Sequence, residues 1–156
     1  LENLWDGFYK QYYSRTFITH KLVKEPSLAT LMPLYAGTID KERANDLVKL
    51  LNSPKQFGTR YPIPSVPVNS SWYKELGYWQ GPTWINTNWL IADGLERYGF
   101  IDEAHHIREA SIELVTKRGP HEYFSAKSGE PGGATNFSWS AALTIEMLQK
   151  SNLKGV

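Results

Sequence analysis

Two short stretches hold the residue types that could do chemistry. In HEYFSAKSGEPGG, Glu122 stands between His121 and the rings of Tyr123 and Phe124, ahead of a run of turn residues. A carboxylate among aromatic rings, on a loop between helices, is a setting in which desolvation disfavours the charged form and a general acid or base can be built. The plainer alternative is a solvent-facing glutamate beside a turn, and residue statistics favour it. The second stretch, GYWQGPTWINTNWL, carries Tyr78, Trp79, Trp84 and Trp89 together with Gln80, Asn86 and Asn88. Indole faces stack on the C–H faces of sugar rings, and small amides fix the orientation of hydroxyls. A tryptophan-rich core is the competing account, and it requires a buried partner for each amide. Pattern alone leaves the two open.

Other chemistry is poorly represented. His105 and His106 are adjacent, so on a helix their rings diverge and do not share a metal. The chain has no cysteine, which excludes disulfides and thiolate metal sites. No P-loop, G-x-G-x-x-G or Ser/His/Asp order is present, so no metal or cofactor is expected. Two glycosylation sequons, at Asn69 and Asn136, are matches of a kind frequent by chance. Asp93, Glu96 and Glu109 read as solvated helix faces. With 17 Lys plus Arg against 16 Asp plus Glu, the net charge of +1 gives no electrostatic reason for nucleic acid or an anionic membrane as partner. No apolar run approaches the roughly 20 residues of a membrane span. Residues 1–10 carry no apolar signal-peptide core, but a segment says nothing about the N-terminal targeting of its parent, so the location is unknown, with a cytoplasmic one favoured. The chain begins at Leu1 instead of Met and fits a segment of a longer polypeptide.

Helices are the elements that must position these side chains, because strand signals are poor. Residues 27–37 are almost wholly apolar and read as a short buried helix, capped by Ser27, stopped by Gly37 and interrupted at Pro33. Asp40 is a good N-cap for a helix whose stripe is Ala44, Leu47, Leu50 and Leu51, closed by Pro54. Residues 82–98 form the next helix, with Pro82 near its first turn and Gly99 at its end. Asp102 caps another, with Ala104, Ile107, Ile112 and Leu114 inward and Gly119 as stop. A final apolar helix starts near Phe137. The long connections 52–80 and 120–136 are functional in character, since their aromatic content argues against disorder. Five or six helices alternating between strongly apolar and amphipathic predict an all-α fold with an inner and an outer layer.

Five ordered blocks carry a resemblance: PSLATLMPLYAG, FGTRYPIPSVPVNSSWY, GYWQGPTWINTNWLIADGLERYG, HEYFSAKSGEPGG and FSWSAALTIEML. Together they resemble the C-terminal half of the catalytic domain of inverting α-glycosidases of glycoside hydrolase family 63, and trehalases more distantly. The resemblance runs from about Trp5 to Leu148 and implies that residues 1–156 are the C-terminal segment of an (α/α)6 barrel. It implies Glu122 as the general base. It also implies a subsite for the cleaved sugar made by Tyr78, Trp79, Gly81, Pro82, Trp84, Asn86 and Asn88, with Gln80, Tyr123, Phe124 and the block Phe137, Ser138, Trp139 adjoining it. Many relatives carry Arg where this chain has Gln80, and an arginine there could pair with a substrate carboxylate such as glycerate. The family's general acid is an aspartate upstream of these blocks. Asp6, Asp40, Asp46, Asp93 and Asp102 instead read as loop, helix-face or cap residues.

The expected partners are therefore a carbohydrate substrate and the missing N-terminal part of the same polypeptide. Without the general acid the isolated chain is expected to be inactive, and apolar faces meant for that part would make it prone to self-association. A non-catalytic carbohydrate-binding helical module is the alternative from another class. A helical scaffold for protein contacts is a third, which the tryptophan-amide cluster disfavours.

Overall fold

The local rules above place most helices correctly, and tertiary pairing moves several of their ends. The computed structural model describes residues 1–153. Within them, β1 (Trp5–Asp6) pairs antiparallel with β2 (Gln11–Tyr12), and β3 (Ser14–Arg15) with β4 (Leu22–Val23). A 3-10 turn over Leu28–Leu31 runs into α1 (Met32–Ala36), followed by α2 (Lys41–Asn52), α3 (Ile85–Arg97) and α4 (Ile101–Arg118). The antiparallel pair β5 (Tyr123–Phe124) and β6 (Pro131–Gly132) precedes α5 (Ser138–Leu153). No helix among the described residues is long and apolar enough to cross a membrane.

Three helix starts differ from expectation. Pro33 does not interrupt α1; it occupies the first turn, where its missing N–H costs nothing. Ser27 holds the N-cap place of the 3-10 turn without a side-chain cap bond. The third helix starts at Ile85 and not near Pro82, because Thr83 is held extended by backbone bonds with Phe124. Asp102 lies in the first turn of α4, where its charge suits the helix dipole, while Phe100 holds the cap position. Asp40 does cap α2, its Oδ1 accepting from the Arg43 N–H at 2.8 Å. Gly37 ends α1 at φ 67°, a left-handed conformation that favours glycine.

Helices α1, α3 and α5 make one row and α2 and α4 the layer behind it. In the row, α3 packs against α1 on one side and α5 on the other, and α4 lies against both α3 and α5. From α2, Leu47 and Leu51 join Ile91 and Leu95 of α3 and Ile107 of α4 in the main core. Val48 is buried with them, and Leu50 only partly. Burial of each such side chain stabilises by roughly 1.5–3 kcal/mol. The approach of α3 to α1 depends on Gly94, where a Cβ would fall 2.5 Å from the Tyr35 amide nitrogen. Glu96 is not simply solvated: it receives a 2.6 Å bond from Arg108, which is buried.

Helix α5 is inverted relative to an ordinary surface helix. Ser140, Thr144 and Met147 face inward, and the Thr144 hydroxyl is satisfied by the Ser140 carbonyl at 2.6 Å. Trp139, Ile145 and Leu148 face outward, with 49%, 58% and 39% of their surface exposed. An apolar face of that kind marks a contact surface.

Candidate active site

The two long connections, α2 to α3 and α4 to α5, meet at one end of the helical layers. Their junction is a backbone ladder: the Thr83 N–H donates to the Phe124 carbonyl at 2.8 Å, and the Phe124 N–H to the Thr83 carbonyl at 3.0 Å. The Thr83 hydroxyl also reaches the Tyr61 carbonyl at 2.6 Å, which fastens the same point to the start of the long loop.

Aromatic rings gather beside this junction. Trp79 stacks on Trp84 with centroids 3.9 Å apart and planes 1° from parallel. Tyr78 meets Trp84 edge-on at 5.1 Å and Tyr123 at 5.7 Å, and Trp84 lies 5.3 Å from Tyr123. The Trp84 indole N–H donates to the Tyr78 carbonyl at 3.1 Å. Trp84 is fully buried, whereas Tyr78 and Trp79 are half-exposed. Two rings thus face solvent, and a third backs them.

Strand alternation sorts the residues around Glu122. Tyr123 turns toward the ring cluster, and Phe124 turns into the core with Ile85, Leu114 and Met147. Glu122 is partly exposed. Its Oε2 accepts from the Ala134 N–H at 3.0 Å, and its own N–H donates to the Ala134 carbonyl at 2.9 Å. Gly133 lets that loop come close: a Cβ there would fall 2.7 Å from the Glu122 Cβ. Among the described residues no group donates to Oε1 of Glu122.

The remaining expected site residues divide. Asn88 lies in the core: it is fully buried, its Oδ1 accepts from the Ile63 N–H at 3.0 Å, and its Nδ2 donates to the Pro62 carbonyl at 2.6 Å and to Ser111 Oγ at 2.9 Å. Its amide is fully used inside the protein. Phe124 is likewise wholly buried in the core. Asn86 differs, since its Oδ1 is buried without a partner among the described residues. Gln80 lines a depression of about 310 Å³ with Val23, Pro26, Val66 and Trp72, none of which belongs to the ring cluster. Gly81 donates its N–H to Ser65 Oγ at 2.8 Å, and Pro82 is buried behind it. Trp139 stays outside the cluster and pairs with Phe137 at 5.4 Å.

Sequence reasoning did not single out Glu75. Its Oε1 accepts from Ser125 Oγ at 2.5 Å and from Ser128 Oγ at 3.0 Å, and those hydroxyls hold its carboxyl below the ordinary range. An acid between Trp72-Tyr73 and Tyr78-Trp79 was the only available signal, and its partners lie 50 and 53 residues away.

Layered helical hairpins with ring-bearing connections at one end make this chain part of an (α/α)6 barrel, the architecture of its solved relatives. The chain belongs to a particular family within that architecture: residues 1–140 match the mannosylglycerate hydrolase MGH1-like glycoside hydrolase domain. It is 33% identical over 150 residues to the mannosylglycerate hydrolase of Rubrobacter radiotolerans, covering 94% of this chain and 34% of that protein. The family 63 mannosylglycerate hydrolase from Thermus thermophilus, solved with Tris and D-glycerate, superposes with a TM-score of 0.89 at 33% identity, over 95% of this chain and 35% of that one. Neutral trehalase from Saccharomyces cerevisiae, 19% identical with a TM-score of 0.76 over 95% of this chain and 28% of its own, shares the fold. The chain spans about a third of the length of the curated relatives it matches.

Proposed function

We propose that residues 1–156 are the C-terminal segment of the catalytic domain of an inverting α-glycosidase, and that Glu122 is its general base. The observation that supports this reading is the placement of Glu122 beside Tyr123, which meets the half-exposed Tyr78 and the buried Trp84 on which Trp79 stacks. Those rings are the wall on which a sugar stacks, backed by Trp84. Trp139 and Phe137 form a second ring pair at the start of α5 and adjoin the same pocket in the complete barrel.

Inversion needs two carboxyls roughly 6.5–9.5 Å apart, one to protonate the leaving oxygen and one to activate water. In this reading Oε2 of Glu122 is steadied by Ala134, and Oε1 takes a proton from the water that attacks the anomeric carbon. As the new C–O bond forms, the glycosidic C–O bond breaks, and the acid's proton goes to the departing oxygen. That acid belongs to the rest of the polypeptide, because the aspartates of this chain hold other places. Asp6 accepts from the Phe8 and Tyr9 N–H groups and pairs with Lys24, Asp40 caps α2, Asp46 pairs with Lys49, and Asp93 pairs with Arg97. Asp102 sits in the first turn of α4.

The substrate class is an α-mannoside or α-glucoside, with α-mannosylglycerate as the first candidate by kinship to the named hydrolases. The outward face of α5 contacts the rest of the polypeptide, and the chain expressed alone self-associates and lacks activity. The test is proton NMR of the first sugar released by the full polypeptide from an aryl α-mannoside. Initial appearance of the β anomer is expected. Initial α anomer, or sugar binding without turnover, sinks the reading.

A further inference from the structure

We propose that Glu75 is a positioning residue that fixes the Tyr78–Trp79 wall against the hairpin carrying Glu122. The inference rests on the proposed role of that wall and extends it to a residue outside the ring cluster. The segment 75–83 is fastened at both ends to one stretch of chain. At its C-terminal end, Thr83 exchanges two backbone hydrogen bonds with Phe124. At its N-terminal end, Glu75 receives the hydroxyls of Ser125 and Ser128 on a single oxygen. Ser125 is itself held in place, since its Oγ accepts from the N–H groups of Lys127 at 3.2 Å and Ser128 at 3.0 Å. Glu122, three residues before Ser125, lies on the same short stretch as both anchors.

Between the anchors the segment is wound tightly. The Lys74 N–H donates to the Gln80 carbonyl at 2.6 Å, Gly77 to Lys74 at 2.9 Å, and Gln80 to Gly77 at 3.0 Å. Any Cβ on Gly81 would collide with the Lys74 carbonyl. Tyr78 takes φ 60°, a left-handed conformation that a bulky residue holds only when its surroundings impose it. The Thr83 ladder restrains one end of this winding, and Glu75 restrains the other. The ammonium of Lys127 over the Tyr73 ring, 4.8 Å from its centroid, adds a weaker tie between the same two segments. Removing the carboxylate frees the wall to move relative to Glu122 while the helices stay intact. An amide at this position keeps an oxygen for both serine hydroxyls, so Glu75→Gln preserves the geometry of the tie and loses only the strength that the charge adds.

The test compares Glu75→Ala, Glu75→Gln and Ser128→Ala in the full polypeptide, reading kcat and KM on α-mannosylglycerate and the near-ultraviolet circular dichroism of the Trp79–Trp84 stack. Glu75→Ala is expected to lower kcat/KM roughly 10- to 100-fold, as misplacement of about an ångström does, and to abolish the tryptophan signal. Glu75→Gln is expected to restore both, and Ser128→Ala to give an intermediate loss. A Glu75→Ala variant with wild-type kinetics and signal overturns the proposal, as does a Glu75→Gln variant as impaired as alanine. If Glu75→Ala does not fold, Ser128→Ala decides: an unchanged tryptophan signal overturns the clamp. A polypeptide inactive on all α-glycosides whose tryptophan signal still responds to Glu75→Ala upholds the clamp and rejects the glycosidase reading alone.

Discussion

Trp79 lies flat on Trp84, its ring centroid 3.9 Å away and its plane 1° from parallel. The exposed ring therefore has one face spent on the protein and one face open, and the buried ring behind it fixes its tilt. Offset stacking of this kind contributes about 0.5–1.5 kcal/mol beyond buried area. It converts a flexible loop tryptophan into a rigid platform.

Replacing Trp79 by alanine uncovers Trp84 without touching the helices. The expected result is loss of the near-ultraviolet tryptophan couplet, a red-shifted emission and a stability decrease of about 0.5–1.5 kcal/mol. In the full polypeptide KM should rise more than kcat falls, because a stacking wall binds ground and transition states alike. Unchanged KM counts against a sugar wall at this position.

Glu122→Gln keeps the size and the Ala134 contact of the side chain while removing its ability to accept a proton from water. Loss of a general base lowers kcat by roughly 10²–10⁴-fold. Steady-state kinetics on an aryl α-mannoside, together with sugar binding measured by calorimetry, separate the effects: binding should persist while turnover collapses. Undiminished kcat removes Glu122 from the mechanism.

Asn88→Ala is expected to damage folding and not binding. It strands the Ile63 N–H and the Pro62 carbonyl in the core, each unpaired group costing about 1–3 kcal/mol. Urea unfolding should show a loss of about 2–5 kcal/mol. A neutral effect on stability would return Asn88 to the list of sugar-facing amides.

Gly94→Ala tests the contact between the inner helices. Alanine favours an isolated helix by about 1 kcal/mol, yet its Cβ would fall 2.5 Å from the Tyr35 nitrogen and 2.6 Å from the Leu34 carbonyl carbon. Overpacking costs typically about 1–3 kcal/mol, so a net decrease in melting temperature is expected. An increase shows that α1 and α3 separate freely.

The order of the ring loop should depend on acidity through Glu75. Its serine hydroxyls lower the carboxyl's pKa from the ordinary 4.5, so the folded loop binds fewer protons than the released one. The stabilisation is fully present above pH 4.5 and is lost as pH falls through the lowered native value. The tryptophan couplet followed through an acid titration should fade in that window, and fade less steeply in Glu75→Gln. Glu113 and Asp6 also have lowered values, which makes a local probe preferable to global unfolding.

Local chemistry in the sequence determined the helices and their stops. Apolar spacing sets α2, α3 and α4, Asp40 caps because its short carboxylate reaches the Arg43 N–H, and Gly37 and Gly119 end helices at positive φ. Ordered blocks around Trp79 and Glu122 determined the family. Neither reveals which way each polar or aromatic side chain turns, because that choice depends on partners far along the chain. Thr83 pairs with Phe124 and so delays the start of α3; Pro62 and Ile63 claim Asn88; Ser125 and Ser128 claim Glu75. Tyr123 and Phe124 are neighbours of similar chemistry, and only the pleat of a two-residue strand sends one to the ring cluster and the other to the core. Helical periodicity is a short-range property of the chain, whereas a hydrogen bond across 50 residues exists only once the layers have packed.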